Sequence, residues 1–113
     1  MKVQTKNIVH DQLFDESKHP HLTPDRIYLV VEIDDTCFRI INDKLEPILY
    51  RKELFHIVDP DIPQDWIRCD FDDGGYSINP PNLGDQGFYE DYFDGIAYVV
   101  KAFEAYRTLK LLH

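Results

Sequence analysis

Cysteine is scarce in this chain, with Cys37 and Cys69 the only two, and their spacing matches neither a disulfide framework nor a metal-binding pair. Both are expected to be free, buried thiols that behave as small hydrophobes. No apolar run approaches the length of a membrane span, and the opening Met1-Lys2-Val3-Gln4-Thr5-Lys6-Asn7 lacks the apolar stretch of a secretory signal. A cytoplasmic location is therefore expected. Motifs for cofactor chemistry are missing too: there is no G-x-G-x-x-G and no phosphate loop. Ser17 and Ser77 lack the G-x-S-x-G setting, and neither cysteine sits in a nucleophile motif. No cofactor is expected.

Basic residues are almost missing from one third of the chain. Residues 59 to 94 hold Asp59, Asp61, Asp65, Asp70, Asp72, Asp73, Asp85, Glu90, Asp91 and Asp94 against Arg68 alone. They carry the entire net charge of -9, because the acids and bases of the remaining residues cancel. Such a field repels nucleic-acid phosphates and anionic membranes and attracts basic protein clefts, so direct nucleic-acid and membrane partners are not expected. The same stretch contains Trp66, Phe71, Tyr76, Phe88, Tyr89, Tyr92 and Phe93, unlike a disordered acidic tail, which is poor in aromatics. An acidic balance also keeps any small protein soluble, so the clustering is the informative part.

At 113 residues with 43% apolar content, seven Phe, seven Tyr and one Trp, the chain has material for one core and is expected to form a single domain, 1-113. A short strand is expected around Val3 to Val9, then a lead-in loop marked by Pro20 and Pro24. Arg26 to Ile33 and Thr36 to Ile41, rich in β-branched and aromatic residues, read as a hairpin around Asp34-Asp35. Alternation puts Ile27, Leu29, Val31 and Ile33 on one face of the first strand and Tyr28 and Val30 on the other, both at least partly covered. Asn42-Asp43-Lys44 turns the chain into Pro47 to Tyr50; Lys52 to Phe55 reads as one helical turn and His56 to Val58 as a closing strand.

This order is the plan of a small barrel. The run 26-59 resembles SH3-like modules of small bacterial and phage proteins, through Tyr28-Leu29-Val30, Phe38-Arg39-Ile40, Asn42-Asp43 and Glu53-Leu54-Phe55-His56-Ile57-Val58-Asp59. The likeness is one of layout. It lacks the paired tyrosines with which peptide-binding SH3 domains hold proline-rich ligands, so it implies a fold and no ligand. The expected fold class is α+β, mainly β: an SH3-like small barrel with an added hairpin and a C-terminal amphipathic helix. The hairpin joins strands at residues 65 to 71 and 76 to 78 through Asp72-Asp73-Gly74-Gly75, within an acidic-aromatic segment at 60-94. The helix, 95-112, follows from Ile96, Val99, Val100, Phe103 and Tyr106 at three- and four-residue steps, with Asp94 as its N-cap.

Three chemistries compete with plain solvated charge. Asp70, Asp72 and Asp73 partly match a calcium loop, but Gly74 stands where a third oxygen ligand belongs and Pro81 where the bidentate Glu belongs, which favours a plain turn. His19 and His21 with Asp25 could converge on a transition metal, although loop histidines are common, and no metal site is expected. Glu90 with Asp91, or Asp91 with Asp94, could form an acid-base couple, but adjacent carboxylates on an acidic surface are usually solvated or cap a helix, so an enzyme is not expected.

Gly87-Phe88-Tyr89-Glu90-Asp91-Tyr92-Phe93-Asp94-Gly95 combines large rigid rings with acids that steer basic partners. Phe88 and Phe93 are expected to fill the core. Tyr89, Glu90, Asp91 and Tyr92, with Asp72 and Asp73, form the expected partner-binding set. The functional expectation is a non-enzymatic module that engages a basic protein, in the manner of bacterial toxin-neutralising immunity proteins, which it resembles in size, charge and lack of active-site motifs. A nucleic-acid mimic that blocks a DNA- or RNA-binding enzyme is the alternative, followed by a carboxylate-dependent hydrolase.

Overall fold

The computed structural model describes residues 1-6 and 21-111. The chain divides into two compact units, Met1–Pro80 and Pro81–His113.

The first unit is a mainly antiparallel β structure of seven strands: β1 (Lys2–Thr5), β2 (Ile27–Asp34), β3 (Cys37–Ile41), β4 (Pro47–Arg51), β5 (Phe55–Asp59), β6 (Ile67–Asp70) and β7 (Tyr76–Asn79), with a single 3-10 turn at Lys52–Leu54 between β4 and β5. The main path runs β4-β3-β2-β1-β5, while β7 joins β2 and carries β6 on its far side. The sheet is not closed; among the described residues β4, β5 and β6 are its edges. β2 is long enough to serve both β1, through Ile27 to Leu29, and β7, through Ile33 and Asp34.

The alternation expected for β2 breaks at Val31. Val30 pairs with Ile40 but Glu32 pairs with Arg39, so Val31 is an extra residue against β3. Such a bulge reverses which side chains face the core beyond it. Tyr28 and Val30 before it and Ile33 after it therefore join Val3, Leu22, Phe38, Ile40, Tyr50, Leu54 and Phe55 in one cluster, while Ile27 is left 51% exposed. Burying side chains of this size contributes about 1.5–3 kcal/mol each.

The expected strand at Val3 to Val9 is realised as Lys2–Thr5; Lys6 is already outside the strand, and 7-9 lie outside the described residues. The chain on either side of 7-20 is tied together: Thr5 donates its hydroxyl to the Thr23 carbonyl, its own carbonyl accepts from Asp25 N–H, and Lys6 N–H donates to the Leu54 carbonyl. Asp43, in the β3–β4 turn, completes this corner. Its carboxylate accepts hydrogen bonds from Tyr28 Oη (2.8 Å), Arg26 Nη1 (2.9 Å) and Thr23 Oγ1 (2.8 Å). Burial is the main cause that pushes the Tyr28 phenol up to about 12; the Asp43 hydrogen bond and charge add to it, and the Thr23 N–H donated to Tyr28 Oη opposes it.

In the second unit, α1 (Phe88–Phe93) and α2 (Ala97–Leu111) form a helical pair. Asp94 is the C-cap of α1, where an N-cap of α2 was expected. Gly95, at φ +77°, occupies the left-handed position after it. Gly95 N–H bonds the Tyr92 carbonyl and Ile96 N–H bonds that of Asp91, a Schellman pair that ends α1. The Ile96 carbonyl then accepts from Val99 and Val100, opening α2. Phe103 and Val99 fill the face turned inward, and Tyr98, Leu109 and Leu111 are exposed.

Candidate functional site

Two acidic turns meet at one end of the first unit's sheet. In the β2–β3 turn, Asp34 Oδ1 accepts the N–H groups of Thr36 (2.9 Å) and Cys37 (2.5 Å), folding the chain as an Asx turn and leaving Asp35 at the tip. In the β6–β7 turn, Gly74 N–H bonds the Phe71 carbonyl (3.1 Å) and Phe71 N–H bonds the Gly75 carbonyl (2.8 Å). Gly74 stands at φ +90° between them, a conformation that a side chain would strain. This is the three-residue hairpin loop with glycine in the left-handed position. Asp73 Oδ1 locks it by accepting Gly75 N–H at 2.8 Å.

Because Ile33 pairs with Ile78 and Asp34 with Ser77, the two turns lie at the same sheet end. A Cβ placed on Gly75 would stand 3.1 Å from Asp73 Oδ1 and 3.3 Å from Asp35 Oδ2. Asp35, which the sequence reading treated only as part of a turn, therefore belongs with Asp72 and Asp73. Asp70 lies at the start of the same turn, bonded through Oδ1 to Arg68 Nη2 at 3.0 Å. That hydrogen bond raises the Arg68 pKa above its ordinary value.

The cations near this end already have partners. Arg68 lies 4.3 Å from the ring centre of Tyr76, and Lys52 Nζ stands 5.6 Å from the same ring while donating to Tyr76 Oη at 3.3 Å. Asp35 and Asp72 form no salt bridge among the described residues.

The expected partner-binding residues fall in two places. Asp72 and Asp73 are in the first unit, whereas Tyr89, Glu90, Asp91 and Tyr92 are on α1 in the second. Tyr89 was expected at the surface but is only 9% exposed, its ring against Phe88 (5.1 Å) and Phe103 (6.3 Å). Tyr92 is half-buried, 5.2 Å from Phe103. Phe93, expected in the core with Phe88, is exposed. Residues 88, 89 and 92 share a helical face, which turns Tyr89 inward and Phe93 out. Glu90 is exposed and Asp91 intermediate.

Cys37 and Cys69 are free, but neither is buried: Cys37 is partly exposed and Cys69 exposed, on a strand whose four residues are all exposed. His21 is exposed, and its expected companion His19 lies outside the described residues. Among the described residues no group of three His, Cys, Asp or Glu is placed to hold a metal ion, and no helix is long and apolar enough to cross a membrane.

No protein-family model matches the chain, and comparison with curated proteins and with solved structures finds no match.

Proposed function

We propose that the protein is a non-enzymatic binding module whose acidic surface engages a basic protein, occluding that partner's cationic site. The observation that carries this reading is the meeting of the Asp34-Asp35 and Asp72-Asp73 turns, with Asp70 beside them. Like charges brought together cost folding free energy unless something offsets them, and here the nearby cations are committed to rings and to Asp70. A partner supplying Arg and Lys relieves that repulsion and gains rate through electrostatic steering. Glu90 and Asp91 are a second acidic element of the same proposal. A toxin-neutralising role of the immunity kind is one form of it, acting in the cytoplasm.

An SH3-like plan for the first unit belongs to the same proposal. Its support is the chain order: a strand, a hairpin pair, a single 3-10 turn, and a last strand returning beside β1, with β2 shared between two groups of strands.

The test is capture from lysate of the source organism at low and high salt. Wild type is compared with the isosteric D35N/D72N/D73N variant, chosen because alanine at Tyr89 would open the packing around Phe103. A basic protein held by wild type, released by salt and lost by the folded variant is the expected result. Equal retention by the variant would remove the acidic end as the site.

A further inference from the structure

The strand beside the acidic turns has an open edge. Among the described residues β6 pairs with β7 alone, and all four of its residues are exposed. Phe71 N–H bonds Gly75, and the ladder continues with Asp70 opposite Tyr76, Cys69 opposite Ser77, Arg68 opposite Ile78 and Ile67 opposite Asn79. Antiparallel pairs alternate between bonded and non-bonded. Phe71, Cys69 and Ile67 therefore spend their backbone groups on β7, and the N–H and C=O of Arg68 and Asp70 point outward, without a backbone partner among the described residues.

Side chains divide along the same alternation. Ile67 (61% exposed) and Cys69 lie on one face, with Phe71 (50% exposed) following at the next odd position. Arg68 and Asp70 lie on the other. Asp65 precedes the strand, and Asp72 and Asp73 follow it. An exposed edge of this kind invites strand addition, and charge decides what can be added. A second copy would bring Asp65, Asp70, Asp72 and Asp73 with Arg68 as their single counter-charge against the same acids, so its own β6 is a poor occupant. The β5 edge also exposes apolar residues, Ile57 and Val58, but its acids, Asp59 and Asp61, sit at one end only and Glu53 at the other is paired with Arg51, whereas β6 has Asp65 before it and Asp72 and Asp73 after it.

We propose that β6 is the docking strand, taking an extended segment of a basic protein as an added strand of the sheet. Its Lys and Arg side chains lie against Asp65, Asp70, Asp72 and Asp73, and its alternate apolar residues lie against Ile67, Cys69 and Phe71. This rests on the basic-partner reading above and gives it a location and a geometry.

The probe is a short peptide alternating arginine and valine. Its control has the same sequence but is N-methylated at alternate residues, which keeps the charge and blocks strand pairing. Both are titrated into the isotopically labelled full chain and followed by amide NMR. The expected result is a shift centred on the Arg68 and Asp70 amides, with at least about tenfold weaker binding of the methylated peptide. The folded D65N/D70N/D72N/D73N variant should bind the parent peptide more weakly and with a shallower salt dependence. Equal binding of the two peptides, shifts centred elsewhere, or no binding of either would overturn the docking strand while leaving the lysate capture free to succeed. Binding that ignores both salt and the Asn variant would overturn the charge matching and the basic-partner reading together.

Discussion

Replacing Asp43 by alanine removes one acceptor that serves three donors: the Tyr28 hydroxyl, the Arg26 guanidinium and the Thr23 hydroxyl. The three losses differ in size. Arg26 is 57% exposed on its side chain, so that ion pair is worth little. Tyr28 is 4% exposed, and its hydroxyl, left without its acceptor, costs about 1–3 kcal/mol. D43A is therefore expected to destabilise by about 2–3 kcal/mol, and Y28F by about 1–2 kcal/mol. The double variant should fall short of their sum by about 1 kcal/mol, because both lose the same bond.

Urea unfolding followed by fluorescence measures all three variants, and alkaline titration adds an independent signature. Tyr28's folded value, about 12, lies above its ordinary 10.0. Its contribution is thus complete below pH 10 and is lost as pH rises toward 12, at most about 2 kcal/mol after discounting for solvent screening at the exposed Arg26 side of the network. Y28F should flatten that decline, and D43A should lower the pH at which Tyr28 ionises. Strictly additive single variants and an unchanged tyrosine titration would refute the reasoning.

Gly95→Ala should cost about 1–2 kcal/mol, a purely conformational penalty, since nothing lies within 4 Å of the added methyl; thermal unfolding reads it directly. Phe103→Ala, at a position with no exposure, should cost about 3–5 kcal/mol and lose near-ultraviolet dichroism from Tyr89 and Tyr92 packing. Glu32→Ala should destabilise by about 2–4 kcal/mol, because Arg39 is 12% exposed and loses a partner at 2.7 Å. Glu53→Ala, breaking the exposed pair with Arg51, should leave the urea midpoint where it was.

The elements of the first unit were legible because turn residues punctuate them. Asp34-Asp35, Asn42-Asp43 and Asp73-Gly74 stand between β-branched runs, and each became a turn stabilised by its own side chain or by a left-handed glycine. The facing of β2 was not legible. Its bulge at Val31 carries no glycine or other local mark, because the register with β3 creates it. A helix as short as α1 gives a weak periodic signal, and the burial of Tyr89 depends on Phe103 from the next helix. At the candidate site the acids could be counted, but Asp35 could join Asp73 only once β7 was seen to pair with β2. The open edge of β6 was hidden for the same reason, since an edge is defined by which strands are missing beside it.

Hydrogen exchange of the protein, alone and with the basic partner captured from lysate, tests the central claim most directly. The Arg68 and Asp70 amides should exchange fast in the free protein and slow strongly in the complex. Protection confined to residues 87-95, or none at β6, would contradict it.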